Sequence, residues 1–535
     1  MTAIAQTILL MMAVLAAVAV AAKRLHVAPS ILLVIAGVGM ALIPGLPKVQ
    51  LAPELVLLVI LPPLIYSAGV AMSWREFRYN LRPIALLAFG AVVFTTCAIA
   101  AAAHTWLHFD WATGFVLGAI IAPPDVVAPL AIARRLGLPR RLMVVLEGEG
   151  LANDATALIL YRFAVIAVSL GTFSLPEAAG TFSLIVVGEV IYGIAVGWLS
   201  LRLRKWAREP RVEITLSLMT PYLAYWVPEH FGGSGVLATV ACGLYVSWIG
   251  PRLIAPATRL QGIFFWDLIV YLIEGFVFLL TGLQARTLVE QAHAFSIRDL
   301  LIATALTTAI AIAARFIWVF PATYIPRWLI PSLAKRDPAP PWQGPFLLGF
   351  TGVRGVVSLA AALAIPYTVA SGAPFPHREL ILYITFGVIV ITLVGQGLML
   401  PFVVQWLGLT KLGKEERKHE IKDELAARQA ALKEVKKRLE KAIKDHELPA
   451  EAADHLRTRN QSRSQILPTN LTEGLDQMRR TAALKIELIA AERDFIYELL
   501  RDGKITDEAR RRIEYELDLE EAGVANRGQD GGGWM

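Results

Sequence analysis

Charged residues are scarce in the first three quarters of this 535-residue sequence and abundant in the rest. Residues 411–535 contain 25 of the 51 Lys and Arg residues and 26 of the 44 Asp and Glu residues. Residues 1–410 contain the remaining 26 basic and 18 acidic residues. Hydrophobic residues make up 56% of the chain, and the mean hydropathy is +0.55. This composition excludes a single water-soluble globular protein and predicts a polytopic membrane domain, 1–410, followed by a charged, mostly helical tail, 411–535.

Cysteine is nearly absent, because only Cys97 and Cys242 occur and both lie inside apolar runs. A disulfide framework and a thiol redox function are therefore not expected. The N-terminal apolar stretch is long and has no basic segment before it, which favours a retained first helix over a cleaved signal peptide. The excess positive charge lies in short loops, so a lipid bilayer and not nucleic acid is the expected partner.

Apolar runs long enough to cross a bilayer, about 17–25 residues, predict thirteen transmembrane helices. They cover residues 3–22, 29–46, 51–71, 83–104, 111–133, 142–170, 181–203, 213–229, 234–249, 260–283, 299–322, 344–368 and 378–407. Alternate loops hold nineteen Lys and Arg on one side and four on the other, namely Lys48, Arg286, Arg298 and Arg378. Because cytoplasmic loops carry the basic excess, the N-terminus is expected outside and the tail in the cytoplasm.

Acidic residues deep inside the predicted spans are the main sign of function. They are Asp125, Glu147, Glu149, Asp154, Glu189 and Glu274. An ionised group at the bilayer centre costs at least ~2.5–3.5 kcal/mol, so a helix carries it only with a partner or a task. An ion pair that locks two helices is the alternative for a lone carboxylate, and it is a weaker explanation for several clustered carboxylates.

The stretch GEGLANDATALILYRFA, residues 148–164, concentrates this polarity. On a helix, Glu149 and Asn153 lie one turn apart on one face, and Gly150 and Asp154 lie one turn apart on the neighbouring face. Because Gly150 has no side chain, we expect space beside the Asp154 carboxylate for a small cation or a water.

The stretch GAIIAPPDVVAP, residues 118–129, predicts a broken helix. Its three prolines lack N–H groups and free the carbonyls of Ala119, Ile120 and Asp125. A break at membrane depth is tolerated where it faces protein or a wet cavity. Freed carbonyls and the Asp125 carboxylate are hard oxygen ligands suited to an alkali cation, whereas a plain proline kink is the alternative.

A second breakable segment lies at the position that an inverted repeat would give it. Secondary transporters often interrupt corresponding helices of two inverted repeats. If helices 1–6 and 8–13 are the repeats, the partner of the fifth helix is the twelfth, GFTGVRGVVSLAAALAIP, residues 349–366. Three glycines there surround Arg354. We therefore predict two inverted repeats with crossed, unwound helices.

These segments together resemble bacterial monovalent cation:proton antiporters of the cation:proton antiporter 1 family. The resemblance rests on the two proline- and glycine-broken stretches, on residues 148–164, on LPPLIYSAG at 61–69 and on YLIEGFVFLLTGLQ at 271–284, and it covers most of residues 1–410. The stretch RDGKITDEARRRIEYELDLEE near the C-terminus resembles the tail of a bacterial branch of the family.

The resemblance implies a homodimer with a dimerisation domain and a mobile core that holds the unwound helices. It implies that Asp154 binds the ion and the proton beside Asn153, and that Asp125 belongs to the unwound helix.

The resemblance also implies structural ion pairs in the core. It pairs Glu149 with Arg315 in AIAARFIWVF, and it places Arg354 on the second unwound helix, where Glu274 is the expected partner.

The chain departs from the family pattern at three positions. Gly150 stands where serine is usual, Pro124 where threonine is common, and Ser67 where many members have an acidic residue. Each departure removes or alters a ligand, so ion preference and affinity do not carry over. A single aspartate preceded by Asn153, in place of an aspartate pair, resembles the electroneutral members.

Other functions are less well supported. The sequence GGSG at 232–235 matches the nucleophile motif of rhomboid proteases, but the only later histidines of the body, His293 and His377, fall in predicted outer loops. A glycine-rich helix start explains the motif better, and no enzymatic activity is expected. A cation channel would use the same ligands without coupling to protons.

In the tail, residues 415–446 predict a helix with an apolar stripe near heptad spacing: Ile421, Leu425, Leu432, Val435 and Leu439. Arg428 interrupts the stripe, and a solvated or dimer-paired helix is favoured over a regulatory one that binds a ligand or partner. Residues 462–470 predict a linker, 483–521 a second helical segment, and 528–535 a disordered end.

The sequence therefore predicts an electroneutral antiporter that exchanges Na+ for H+ across a bacterial inner membrane by alternating access. The cation and the proton compete for Asp154, with Asp125 as a fixed ligand of the Na+ (or K+) ion. No cofactor is expected besides the transported ions. K+ or Li+ as the transported cation, and K+-selective antiport on the same fold, remain open.

Overall fold

The computed structural model describes residues 2–43, 51–171, 175–291, 296–445, 450–465 and 471–528. Every regular element within these ranges is a helix. The chain divides into two compact units, Met1–Gly413 and Lys414–Met535. Lys48, His293 and most of the final segment 528–535 lie outside the described residues, so the predictions made for them stay predictions.

The described residues of the first unit contain nineteen complete α-helices. They are α1 Thr2–Leu25, α2 Pro29–Ala41, α3 Leu61–Ala71, α4 Trp74–Tyr79, α5 Leu81–Ala85, α6 Val92–Trp106, α7 Trp111–Ile121, α8 Val127–Leu136, α9 Arg140–Leu170, α10 Leu175–Ala207, α11 Pro210–His230, α12 Val236–Leu253, α13 Pro256–Gln291, α14 Ile297–Leu329, α15 Pro331–Arg336, α16 Gln343–Phe350, α17 Val356–Leu363, α18 Arg378–Val390 and α19 Gly397–Trp406. π-Helical turns precede α3, join α5 to α6 and join α18 to α19, at Leu55–Ile60, Leu86–Ala91 and Ile391–Gln396.

Eight helices among the described residues are long and apolar enough to cross a membrane, and three shorter apolar helices accompany them. Their outer faces carry large exposed apolar side chains, such as Leu184, Ile191 and Phe264. A lipid-facing surface explains this exposure, because hydrocarbon chains replace water around it. The molecule is thus an all-helical membrane protein, while the count of thirteen spans remains a prediction.

Two of the predicted spans are not continuous helices. The span 111–133 consists of α7 and α8, separated at residues 122–126, where Pro123 and Pro124 cannot donate to the preceding turn. The span 344–368 consists of α16 and α17, separated at residues 351–355. Unwound backbone of this kind lies where protein covers it, since lipid cannot satisfy free peptide groups.

Two groups of helices pack closely within themselves. The broken-helix bundle contains α6, α7, α9, α14 and α16–α19, and the α10–α12 bundle contains α3, α10, α11 and α12. In the first bundle, Gly118 of α7 lies so close to the carbonyl of Thr96 in α6 that a Cβ there would overlap it. In the second, Gly69 of α3 faces Gly243 of α12, and a Cβ on either glycine would be in tight contact with the other. Backbones in such contact move together because close-packed surfaces leave no room to slide.

The second unit holds the rest of α20, Leu409–Lys444, with α21 Ala450–Gln465, α22 Leu471–Arg501 and α23 Asp507–Gly528. The predicted segment 483–521 is therefore two helices, because the chain turns at Gly503, which has a φ of 70°. Arg493 of α22 pairs with Asp518 and Glu521 of α23 at 2.7 and 2.8 Å, so the two helices pack as a hairpin.

Candidate ion-binding site

The two unwound segments are hydrogen-bonded to each other. The amide N–H of Asp125 donates to the carbonyl of Val353 over 2.7 Å. In an unbroken helix this N–H would donate to Ile121, so the break diverts it and leaves the Ile121 carbonyl free. The Nε of Arg354 donates to that carbonyl. The breaks in α7–α8 and α16–α17 therefore complete each other's backbone hydrogen bonds.

Arg354 is a buried capping residue for both breaks. Its Nη1 donates to the carbonyl of Gly352, and its own N–H donates to the hydroxyl of Thr392 over 3.0 Å. The expected pair of Arg354 with Glu274 is wrong, because within the described part of the chain the guanidinium hydrogen-bonds to backbone carbonyls. A helix break supplies unpartnered carbonyls next to the guanidinium, and these satisfy its donors directly.

Arg315 has the same role at the second break. Its Nε donates to the carbonyl of Leu348 over 2.8 Å, a group that the unwinding of α16 at Gly352 leaves without its helical partner. Its Nη1 and Nη2 donate to Oε1 and Oε2 of Glu149 over 2.6 and 2.8 Å. Both side chains are buried, at 2% and 0% exposure. The expected contact of Arg315 with Glu149 is thus present, as a bidentate ion pair.

Asn153 ties α9 to the first break. Its Nδ2 donates to the carbonyl of Pro124 over 2.6 Å, and its Oδ1 accepts the N–H of Asp154 over 2.7 Å. The side chain is buried at 1% exposure, so both ends of the amide are used within protein. Asn153 therefore fixes the position of Asp154 relative to the unwound segment that carries Asp125.

Asp125 and Asp154 are partly exposed, and the hydrogen bond between Asn153 and Pro124 joins the residues that precede them in the chain. Oδ1 of Asp125 accepts the N–H of Val127 over 2.9 Å at the start of α8. Gly355 lies against the same side chain, and a Cβ there would overlap the carboxylate. Carboxylate oxygens are hard ligands, so Asp125 and Asp154 are the candidate ligands for a cation in this region.

The space expected beside Gly150 is filled. The side chain of Val126, in the unwound segment, lies where a Cβ on Gly150 would be. The expectation of an open position for a cation or water next to Gly150 is therefore wrong. Its physical reason is the break itself, which turns Val126 off the path of a continuous helix and onto α9.

Glu189 is a structural residue whose role was not apparent from the sequence. Its Oε1 accepts the N–H groups of Ser234 and Gly235 over 2.6 and 3.1 Å, and the Ser234 hydroxyl lies 3.4 Å from Oε2. The carboxylate thus caps the start of α12 from α10. The sequence signals for this role are an acidic residue inside an apolar helix and a glycine-rich helix start later in the chain. The GGSG motif is a capped helix start, and His377 stacks on Phe109.

A second group missed by sequence reasoning surrounds Asp337, between α15 and α16. Its carboxylate accepts from Arg82, Arg141 and Arg327 over 3.2, 2.7 and 2.8 Å. These arginines come from three separate loops and helix ends, so their spacing in the sequence gives no signal. The cluster joins the arginine-rich ends of α5, α9 and α14.

The remaining acidic residue on α9 has a local partner. Glu147 accepts from Arg134 of α8 over 2.9 Å at a partly exposed position. Glu274, on α13, is half-buried. Neither residue joins the Asp125–Asp154 group through a hydrogen bond among the described residues.

A family model and several known proteins similar to this chain indicate the same family. The family model described as "Sodium/hydrogen exchanger, transmembrane" matches residues 10–406. An uncharacterized Na(+)/H(+) exchanger of Mycobacterium tuberculosis is 32% identical over 511 residues, covering 93% of this chain and 92% of that protein. A sodium, potassium, lithium and rubidium/H(+) antiporter of Bacillus pumilus is 34% identical over 382 residues, covering 69% of this chain and 56% of that protein.

The fold is also similar to a solved structure. The sodium proton antiporter MjNhaP1 of Methanocaldococcus jannaschii at pH 8 matches with a TM-score of 0.61 at 17% sequence identity. The match covers 76% of this chain and 99% of that chain. At this identity the likeness concerns the fold of the membrane unit.

Proposed function

Because this chain belongs to the sodium/hydrogen exchanger family, we propose that it exchanges Na+ for H+ across a bacterial inner membrane by alternating access, with both ions competing for Asp154. The family is one of membrane transporters. Under the loop-charge orientation, the N-terminus is outside and the charged tail is cytoplasmic.

The observation that carries the proposal is the contrast between Asp154 and its polar neighbours. Glu149, Arg315 and Asn153 each have protein partners at hydrogen-bonding distance. The Asp154 carboxylate accepts no hydrogen bond from any residue that the structure describes, although its own N–H donates to Asn153. A carboxylate kept at membrane depth without a protein partner fits a group whose partner is a transported ion.

Charge counting supports a one-to-one exchange. Glu149 is neutralised by Arg315, and Asn153 carries no charge. If Asp125 stays ionised as a fixed ligand, Asp154 alone changes protonation, so one proton leaves for each monovalent cation that binds. Transport is then electroneutral, and the apparent affinity for the cation falls as the pH falls because protons occupy the same carboxylate.

Sodium is the proposed cation, with Li+ or K+ as further substrates. The name of the Bacillus pumilus relative includes sodium, potassium, lithium and rubidium. Oxygen ligands alone do not fix the choice, since they suit all of these ions. The departures at Gly150, Pro124 and Ser67 remove side-chain ligands that would restrict which cation binds.

A homodimer is the proposed assembly, as the family resemblance implies. The unit 414–535 is proposed as a cytoplasmic helical appendage, with regulation through a ligand or partner as the alternative. These statements rest on the resemblance and on the helices of the tail.

Counterflow in proteoliposomes tests antiport directly. With the protein as the only transporter, an outward Na+ gradient should acidify the lumen, an inward one should alkalinise it, and a lumen more acidic than the outside should drive 22Na+ uptake. Li+ and K+ are tested in the same way. Cation flux without proton movement would support a channel and overturn the proposal.

A further inference from the structure

Arg162 connects α9, a helix of the broken-helix bundle, to the α10–α12 bundle. It lies eight positions beyond Asp154, about 12 Å along the helix. Its Nη2 donates to the carboxylate of Glu229 at the end of α11, and its Nη1 donates to the carbonyl of Gly233. The two charged side chains are 32% and 27% exposed.

The receiving side of this contact is preorganised. Glu189 of α10 holds the N–H groups of Ser234 and Gly235, and it lies against Gly233, where a Cβ would meet its Oε1. Gly235 has a φ of 66° and packs on the backbone of Tyr225. The α11–α12 connection therefore presents a carbonyl and a carboxylate to α9.

The contact lies at one end of the interface between the two bundles. α9 packs most on α7 of the broken-helix bundle, and it packs to a smaller extent on α12 and α3 of the α10–α12 bundle. Arg140 begins α9 among the arginine-rich loops, and Arg162 lies 22 positions later, about 33 Å away. The Arg162 contacts therefore lie at the end of the α9–α12 interface that is far from those loops. The loop charges predict that this end faces the outside of the cell.

We propose that Arg162 and Glu229 form a latch that closes the interface between α9 and the α11–α12 connection at that end. The inference rests on the proposed alternating access, which requires the helix carrying Asp154 to move relative to a neighbouring bundle. Because each bundle is closely packed within itself, the movement occurs between them, and the ion pair breaks when this end opens. The latched state leaves Asp154 to be reached from the opposite, arginine-rich end.

A fixed structural pair would have different consequences. Loss of a fixed pair lowers stability and leaves the relative affinity at the two sides unchanged. Loss of a latch raises the population of the state that is open at the latch end. The apparent cation affinity then rises on that side and falls on the other.

The test uses the full-length protein in proteoliposomes with known orientation, and it measures the Na+ concentration for half-maximal exchange from each side. Arg162→Gln and Glu229→Gln should each lower this concentration on the latch side and raise it on the other, by roughly two- to fivefold, as expected for a partly exposed pair. The charge exchange Arg162→Glu with Glu229→Arg should restore values near wild type.

Arg134→Gln is the matched control. It removes a partly exposed ion pair that also involves α9, but Glu147 and Arg134 both lie on the same side of the interface, on α9 and the neighbouring α8. The control should leave the ratio of the two half-maximal concentrations unchanged. Equal ratios in Arg162→Gln, Glu229→Gln and wild type would overturn the latch, and so would a parallel loss of affinity on both sides.

Hydrogen–deuterium exchange keeps the latch testable if exchange activity fails in the wild type. Arg162→Gln should raise deuterium uptake at least twofold in peptides covering residues 228–236, with Arg134→Gln as control. Unchanged uptake there would overturn the latch by itself. Absent Na+/H+ exchange with raised uptake would instead overturn the proposed function while leaving the contact between the bundles supported.

Discussion

The N–H of Asp125 donates to the carbonyl of Val353, and this one hydrogen bond of 2.7 Å joins the two unwound segments of the membrane unit. It places a carboxylate at the point where α7 ends and α17 is about to begin. Arg354 occupies the carbonyl that Asp125 releases, so the break is stabilised by protein groups. The Asp125 carboxylate is therefore held at a break whose Ile121 and Val353 carbonyls have protein partners.

Asp154→Asn should abolish Na+/H+ exchange while the protein stays folded, because the amide cannot take up the exchangeable proton. Exchange is measured in proteoliposomes, and folding by size-exclusion chromatography and melting temperature. Glu147→Gln is the matched control on the same helix, since its partner is Arg134 at a partly exposed position. Exchange at the wild-type rate in folded Asp154→Asn would contradict the site.

Breaking the buried pair of Glu149 and Arg315 should destabilise the protein strongly. Glu149→Gln and Arg315→Gln each leave an uncompensated buried charge, which costs ~3–5 kcal/mol. The double variant should lose less than the sum of the two single losses because the charges are removed together. The unfolding free energies of the three variants, measured in detergent, test this coupling. Additive losses would mean that the residues are not coupled.

Gly150→Ser should destabilise the protein, although serine is usual at this position in the family. A Cβ on Gly150 would overlap the side chain of Val126, and overpacking of this kind costs ~1–3 kcal/mol. Val126→Ala should rescue the variant by opening the space. Melting temperatures of the single and double variants measure this, and a Gly150→Ser protein as stable as wild type would show that Val126 moves away freely.

Exchange should carry no net charge. If Asp125 remains ionised and only Asp154 exchanges its proton, a Na+ jump on a solid-supported membrane should give no transport current, while a pH-sensitive dye reports proton release. A current that disappears in Asp154→Asn would show electrogenic transport. It would contradict the one-to-one stoichiometry without contradicting antiport.

Acid should weaken the loop cluster around Asp337. Burial raises the pKa of this carboxyl, but the hydrogen bond and charge of Arg141 and the charges of Arg327 and Arg82 outweigh it, so the pKa is lowered. A lowered folded-state pKa gives stability that is present above the ordinary value of about 4 and lost as the pH falls through the folded-state value.

The melting temperature of the wild type should therefore drop more steeply below about pH 4 than that of Asp337→Asn. Asp337→Asn should be less stable than wild type at pH 7, where the three arginines lose their counter-charge. Parallel melting curves for the two proteins across this pH range would contradict the role given to Asp337.

Local pattern was enough to predict much of the membrane unit. Apolar run length and the excess of Lys and Arg in alternate loops identify a polytopic protein, and prolines without N–H groups locate the break near Asp125. Helical periodicity places Asn153 and Asp154 on adjoining faces of one helix. These features depend on residues within a few turns of one another, so they can be derived from the sequence.

The sequence by itself determined where the charges lie, and only the tertiary structure decided what each one contacts. Arg354 contacts the Ile121 carbonyl in place of Glu274, and Val126 fills the space beside Gly150. Both outcomes depend on how helices from distant parts of the chain meet around an irregular break. Helical periodicity ends at such a break, so the direction of the next side chain follows from long-range packing and not from its position in the sequence.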